Sequence, residues 1–177
     1  MITLPEFRSA VRFAQEGSFL PDSDLHGDQH WRAVAMQGLT LAAINNLQPQ
    51  AHKIAVLFGL FHDCRRLDDG YDPDHGKRGA QAILDSPIRN SIAPSALEIL
   101  IPSCEQHDEG HTTTNVHVGI GWDADRSVLT RVGIEPHFAF FSVVRETDFV
   151  DFVASGIEKT RNPPTWDQLW EMAFSGR

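Results

Sequence analysis

An apolar run over residues 54–61 ends in a histidine followed directly by an aspartate, His62-Asp63. If the run is helical, the two side chains point about 100° apart and border one pocket from adjacent faces. A carboxylate at the end of such a run is costly to bury without a partner, and a cation is the natural one. Imidazole with carboxylate suits divalent zinc, iron, manganese or nickel. The same chemistry recurs along the chain. His30 sits one turn before Val34 on the face expected to look into the core, His75 falls in the first turn of a later helix, His107 ends the next, and Asp125 lies on the one after. Five elements therefore each offer a metal-type side chain, with His62-Asp63 contributing two.

Each of these residues also has a plainer use. A lone histidine such as His30 is more often a surface or hydrogen-bonded core residue, and Asp125 could pair with Arg126 or Arg131. His26, four residues before His30, could join the same site from the edge of a loop. His52, His111, His117 and His137 have no distinguishing context. Cys64 and Cys104 lack the paired spacing of a zinc knuckle.

Ligands so far apart in sequence need helices to gather them, and helix signals dominate. Thr3-x-x-Glu6 is a capping-box pattern with Pro5 in the first turn, opening a segment with Phe7, Val11 and Phe13. Residues 17–27 read as a loop, 28–45 as a helix, and 50–65 as a helix apolar nearly all round and so the most buried. Asp72-Pro73 is expected to cap the helix of His75, and Ser95-x-x-Glu98 to open a helix that runs toward His107 despite Pro102. Residues 112–118 are β-branched and fit a short strand or an extended loop. Residues 123–131 form a helix stopped by Gly133 and Pro136, and Thr165-x-x-Gln168 caps a final helix with Trp166, Leu169, Trp170 and Phe174. Six or seven helices with little strand predict an all-α domain.

Composition sets limits around that picture. At 177 residues the chain is one domain by length, 41% hydrophobic and 22% charged. A net charge of −9 argues against binding of a nucleic acid polymer, which needs a basic surface. The run over 54–61 is too short to span a membrane, and residues 1–6 carry no basic-then-apolar leader pattern. Two cysteines make no disulfide framework, so the cytoplasm is the expected compartment.

The ordered series His30, His62-Asp63 and Asp125 within Ala124-Asp125-Arg126 resembles the H…HD…D signature of the HD-domain superfamily of metal-dependent phosphohydrolases. His30-Trp31-Arg32-Ala33-Val34 is similar to its opening helix, and Leu57-Phe58-Gly59-Leu60-Phe61 to its apolar run into the doublet. His75-Gly76-Lys77-Arg78-Gly79-Ala80 and Cys104-Glu105-Gln106-His107 resemble the two extra histidine positions of its binuclear members. The stretch from Gly121 to Arg126, with Arg131-Val132-Gly133-Ile134, is similar to small bacterial members. The resemblance covers about residues 25–136, leaving 137–177 as a helical extension of a single domain over 1–177.

The resemblance implies a helical bundle holding one or two divalent ions, of Fe, Mn, Zn, Ni, Co or Mg. His30, His62, Asp63 and Asp125 would form the core site; His75 and His107 would complete a second, with Asp63 bridging ions roughly 3.5–4 Å apart. It also implies hydrolysis of a small phosphoester such as a nucleotide, with Asp63, Arg66 and Lys77 as the residues of the chemistry. Arg65, Arg66, Lys77 and Arg78 cluster around the ligands and could hold a phosphate. Arg66 stands where cyclic-dinucleotide phosphodiesterases of the superfamily usually carry lysine, and their Gly-Tyr-Pro loop has no counterpart, which tells against cyclic-di-GMP. The same ligands would serve a mixed-valent di-iron oxygenase, or a domain that binds a nucleotide without turning it over. Trp166 and Trp170, read as exposed, offer a homodimer contact or a docking edge for the last helix.

Overall fold

Two capping boxes frame the helical chain. In the computed structural model, which describes residues 2–175, Thr3 and Glu6 cap α1 (Leu4–Glu16), and Thr165 and Gln168 cap α8 (Trp166–Phe174), each pair by reciprocal hydrogen bonds. Between them lie α2 (Asp28–Ile44), α3 (Pro49–Phe61), α4 (His75–Asp85), α5 (Pro94–Glu105), α6 (Val116–Arg126) and α7 (Phe149–Arg161). The fold is all-α, with eight α-helices, some short 3-10 turns and no strand among the described residues.

The eighth helix is α7, which the sequence hides. It follows no proline or glycine break, its N-cap Asp148 makes no side-chain cap, and it buries only Phe152 and Gly156. Other boundaries shift for local reasons. Residues 112–115 form no strand, and α6 begins at Val116, where Asn115 accepts from the His117 amide, well before residue 123. The N-cap of α4 is Asp74 rather than Asp72, whose carboxylate instead takes the Leu67 amide and the Arg78 guanidinium. Helix α5 starts at Pro94 after Ala93, so Ser95 and Glu98 form no capping box.

Helices α2 and α3 form the most extensive helix pair, with α4, α5, α6 and α8 arranged around α3. The larger apolar cluster runs from Ile2 and Phe7 through Trp31, Phe58, Phe61, Leu100 and Trp122 to Leu169 and Phe174, and a smaller one joins Leu41, Ala55 and Ile120 to Phe141 and Phe152. The buried Trp166 packs edge-on against Phe7 and donates to Asp28, and Trp170 donates to the Ile2 carbonyl, so both indoles dock the last helix on its own chain. Gly59 explains how closely α2 and α3 approach. A Cβ there would stand 2.7 Å from the Ala35 nitrogen and Cβ, closer than any side chain tolerates. Gly59 lies one turn before His62, so the contact it permits also brings His62 to His30.

Candidate metal centre

Helices α2, α4 and α6 and the turns after α3 and α5 deliver six side chains to one buried point. His30 is in the first turn of α2, His62 caps α3 and Asp63 follows it, His75 opens α4, His107 follows α5, and Asp125 is in the last turn of α6. All six are buried. Stacking of the His62 ring on Phe58, 5.0 Å between centroids and 17° between planes, fixes its orientation.

Backbone carbonyls decide which ring nitrogens carry protons. His75 Nδ1 donates to the Asp72 carbonyl at 2.5 Å, His107 Nδ1 to Cys104 at 2.7 Å, and His62 Nδ1 to Phe58 and Gly59 at 3.2 and 3.1 Å. In the neutral rings each Nε2 is then a bare lone pair. Those lone pairs converge. His75 and His107 Nε2 lie 3.0 Å apart, at 3.2 and 3.6 Å from Asp63 Oδ1. His30 and His62 Nε2 lie 3.1 Å apart, at 3.4 and 3.7 Å from Asp63 Oδ2. Asp125 Oδ1 joins the second group at 3.4 Å from His30 and 3.9 Å from His62.

The donor set fits a metal. Each of the groups His30–His62–Asp63 and Asp63–His75–His107 could hold an ion, and Asp63 belongs to both through different oxygens. Asp63 Oδ1 is buried without a hydrogen-bond partner among the described residues. Acceptors this close to one another repel unless a cation or a proton lies between them. The carbonyls on Nδ1 are the outer contacts that orient metal-bound imidazoles.

Electrostatics separate the ligands. Burial, then the Arg131 charge, pulls His30 down to about 3; burial pulls His62 down to about 4 despite Asp63 and Asp125. Burial also lowers His75. At His107 burial opposes the charge, but the Asp63 carboxylate prevails and the pKa rises. Burial works against both aspartates too, yet the imidazoles around Asp63 and Arg131 beside Asp125 hold both well below the usual carboxylate range.

The basic residues divide. Arg66 comes to the centre: Nη1 is 3.5 Å from Asp63 Oδ1, while Nη2 donates to the Gly70 carbonyl at 2.8 Å. Lys77 does not. Two residues beyond His75 it points to the far side of α4, where it is 69% exposed and paired with Asp74 at 2.8 Å. Arg65 lies over Phe13 and donates to the Phe13 and Ala14 carbonyls at the end of α1, and Arg78 binds Asp72 and the Arg65 carbonyl. From the sequence, Arg131 is expected only as a salt-bridge partner of Asp125. In the fold its Nη2 donates to His30 Nε2 at 2.9 Å and lies 3.4 Å from Asp125, while Nε and Nη1 hold the Leu25 and Val128 carbonyls. His26 stays outside the ligand groups. Its Nδ1 meets Asp69 at 2.8 Å, and its ring edges His30 at 6.2 Å.

The centre forms the floor of a pocket of about 470 Å³, with Arg66, Arg131 and His26 on its sides and residues of the 129–141 segment as one wall. Comparison with family models, with curated proteins and with solved structures finds no match. No helix among the described residues is long and apolar enough to cross a membrane.

Proposed function

We propose that this chain is a cytoplasmic, divalent-metal-dependent hydrolase of a small phosphoester, with the HD-type arrangement that its sequence resembles. The observation that carries this reading is the Asp63 carboxylate, whose two oxygens are each shared with a different histidine pair. His30, His62, Asp63 and Asp125 would hold one ion, and Asp63, His75 and His107 the other. Such ions, when bound, activate water and neutralise charge on phosphoryl oxygens. The residues of the chain do the rest. Arg66 and Arg131 project guanidinium groups beside the ligands, where bidentate donors suit a phosphoryl group. The backbone carbonyls of Asp72, Cys104 and Phe58 hold three imidazoles in fixed orientation, so no reorganisation is needed on binding. Burial of the ligand side chains strengthens each charge contact at the floor.

The test is metal analysis of the purified chain, followed by phosphate release from a panel of phosphomonoesters and diesters with Mn²⁺, Co²⁺, Ni²⁺ or Fe²⁺. Two ions per chain and turnover abolished by Asp63→Ala are expected. Tight binding without product would reduce the protein to a binding domain. A substrate-responsive mixed-valent di-iron signal after anaerobic purification would make it an oxygenase.

A further inference from the structure

Beyond the charged floor, the pocket changes character. Leu129, Val132, Ile134, Pro136, Phe140 and Phe141 supply its apolar wall. Ile134 and Phe140 are 53% and 49% exposed, which is unusual for large apolar side chains facing a cavity. The rest of the lining is equally selective in kind. Apart from two glycines it consists of carboxylates, imidazoles and guanidiniums, with no serine, threonine, asparagine, glutamine or tyrosine among the described lining residues. Neutral amides and hydroxyls, common readers of base edges, contribute nothing here, and since carboxylates can accept from sugar hydroxyls it is the exposed apolar wall that tells against a sugar body.

The wall is built in rather than draped. The buried Asp123 carboxylate accepts the Ser142, Val143 and Val144 amides at 2.7–3.0 Å. Arg126, buried and lying over Trp122, donates to the Phe140 carbonyl at 2.5 Å. Both clamps start from α6, which also carries the ligand Asp125. The distance between wall and floor is therefore fixed by one helix. The charges limit the head of the ligand as well. Arg66 and Arg131 flank the floor, whereas Asp108 and Glu135 also line the pocket and would repel a polyphosphate tail.

From this juxtaposition we infer that the ligand is a compact amphiphile: a single phosphoryl or phosphonyl head at the metal floor, joined to an apolar alkyl or aryl body that covers Ile134 and Phe140. The inference rests on the phosphoester reading of the centre and narrows it, away from nucleoside polyphosphates and sugar phosphates. An apolar body buried there gains affinity in proportion to its area, and a ring of phenyl size suffices for a factor of ten or more.

Three non-hydrolysable probes decide it: methylphosphonate, phenylphosphonate and 2,3-dihydroxypropylphosphonate, titrated calorimetrically into the Mn²⁺-loaded full chain. Phenylphosphonate is expected to bind at least tenfold tighter than the other two. In Ile134→Ser and Phe140→Ser, both at well-exposed positions, the phenyl-to-methyl ratio should shrink severalfold. Equal binding of all three, preference for the dihydroxy probe, or an unchanged ratio in both variants would overturn the inference while leaving the phosphoester reading standing. Failure of all three to bind would remove that reading itself.

Discussion

His75 and His107 point their Nε2 atoms at each other across 3.0 Å, while both Nδ1 atoms donate to backbone carbonyls. With neither proton free to turn inward, the neutral rings present two lone pairs to one point, and Asp63 Oδ1 makes a third acceptor. Removing either ring should lower the ion count from two toward one, since the opposite histidine pair keeps its own three-residue group. Asp63→Ala should lose both ions with the helices intact by circular dichroism, because this carboxylate belongs to both groups. Inductively coupled plasma analysis of the three variants checks this. A full metal complement in Asp63→Ala would move the site elsewhere.

Gly59→Ala tests the packing that brings His62 to His30. The new methyl would meet the Ala35 backbone in the centre of the α2–α3 contact, so the helices must part. Overpacking of this kind costs about 1–3 kcal/mol. A lower melting temperature is expected, together with weaker binding of one ion, because His30 and His62 sit on opposite sides of the strained contact. Loss of stability with both affinities unchanged would show that the centre tolerates the movement.

Part of this was legible in the residues and part was not. An aspartate ending a buried apolar helix is expensive, and that expense singles out His62-Asp63 in the sequence; the structure surrounds the doublet with imidazoles. The capping boxes of α1 and α8 were legible because their signal is local. Lys77 misled because closeness in sequence to His75 says nothing about helix face. Arg131 escaped as a contact of His30 because its role depends on a 3-10 turn after α6 folding back over α2. The apolar wall escaped for a similar reason: residues 129–141 have no helical period, and their placement comes from Asp123 and Arg126.

Asp123→Ala should therefore act at a distance. It would leave the Ser142, Val143 and Val144 amides without their acceptor, at about 1–3 kcal/mol for each that stays buried. A large fall in melting temperature is expected, with faster hydrogen exchange concentrated in residues 137–144. Metal stoichiometry should change less than stability, since Asp123 touches none of the six ligands. Exchange rates unaltered in that segment would refute the clamp.

Arg131→Met separates two opposing effects. Its guanidinium donates to a ligand nitrogen and lies near Asp125, so it competes with any cation at the His30–His62 group. Its loss should tighten that ion severalfold in a Co²⁺ titration followed by absorbance. The phosphoryl contact proposed for Arg131 would disappear at the same time, so KM for a phosphoester should rise tenfold or more. Weaker Co²⁺ binding would instead make Arg131 a group that orients Asp125.

Acid should empty the two halves of the centre at different pH. Ligating imidazoles must be neutral, so protons compete with the ions. An ordinary histidine titrates near ~6.5. Burial and Arg131 set His30 at about 3, and burial sets His62 at about 4, so this pair stays neutral well into acid. His107 goes the other way: burial opposes its charge, but Asp63 raises its pKa above the ordinary value. A raised pKa means the proton arrives earlier as pH falls, so the His75–His107 ion should leave first. Manganese per chain is expected to drop from two toward one on going from about pH 8 to pH 5, with the remaining ion leaving as pH approaches about 4. The chelated fold follows the same signs. His30 and His62 stay neutral in it but charge in the unfolded chain below ~6.5, so their contribution to stability is complete above that value and is lost as pH falls toward about 4 and then about 3. A chelator should lower the melting temperature more at pH 8, where two ions are lost, than at pH 5, where one has already gone. Release of both ions in a single step near pH 6 would show that the two histidine pairs do not differ in their hold on protons.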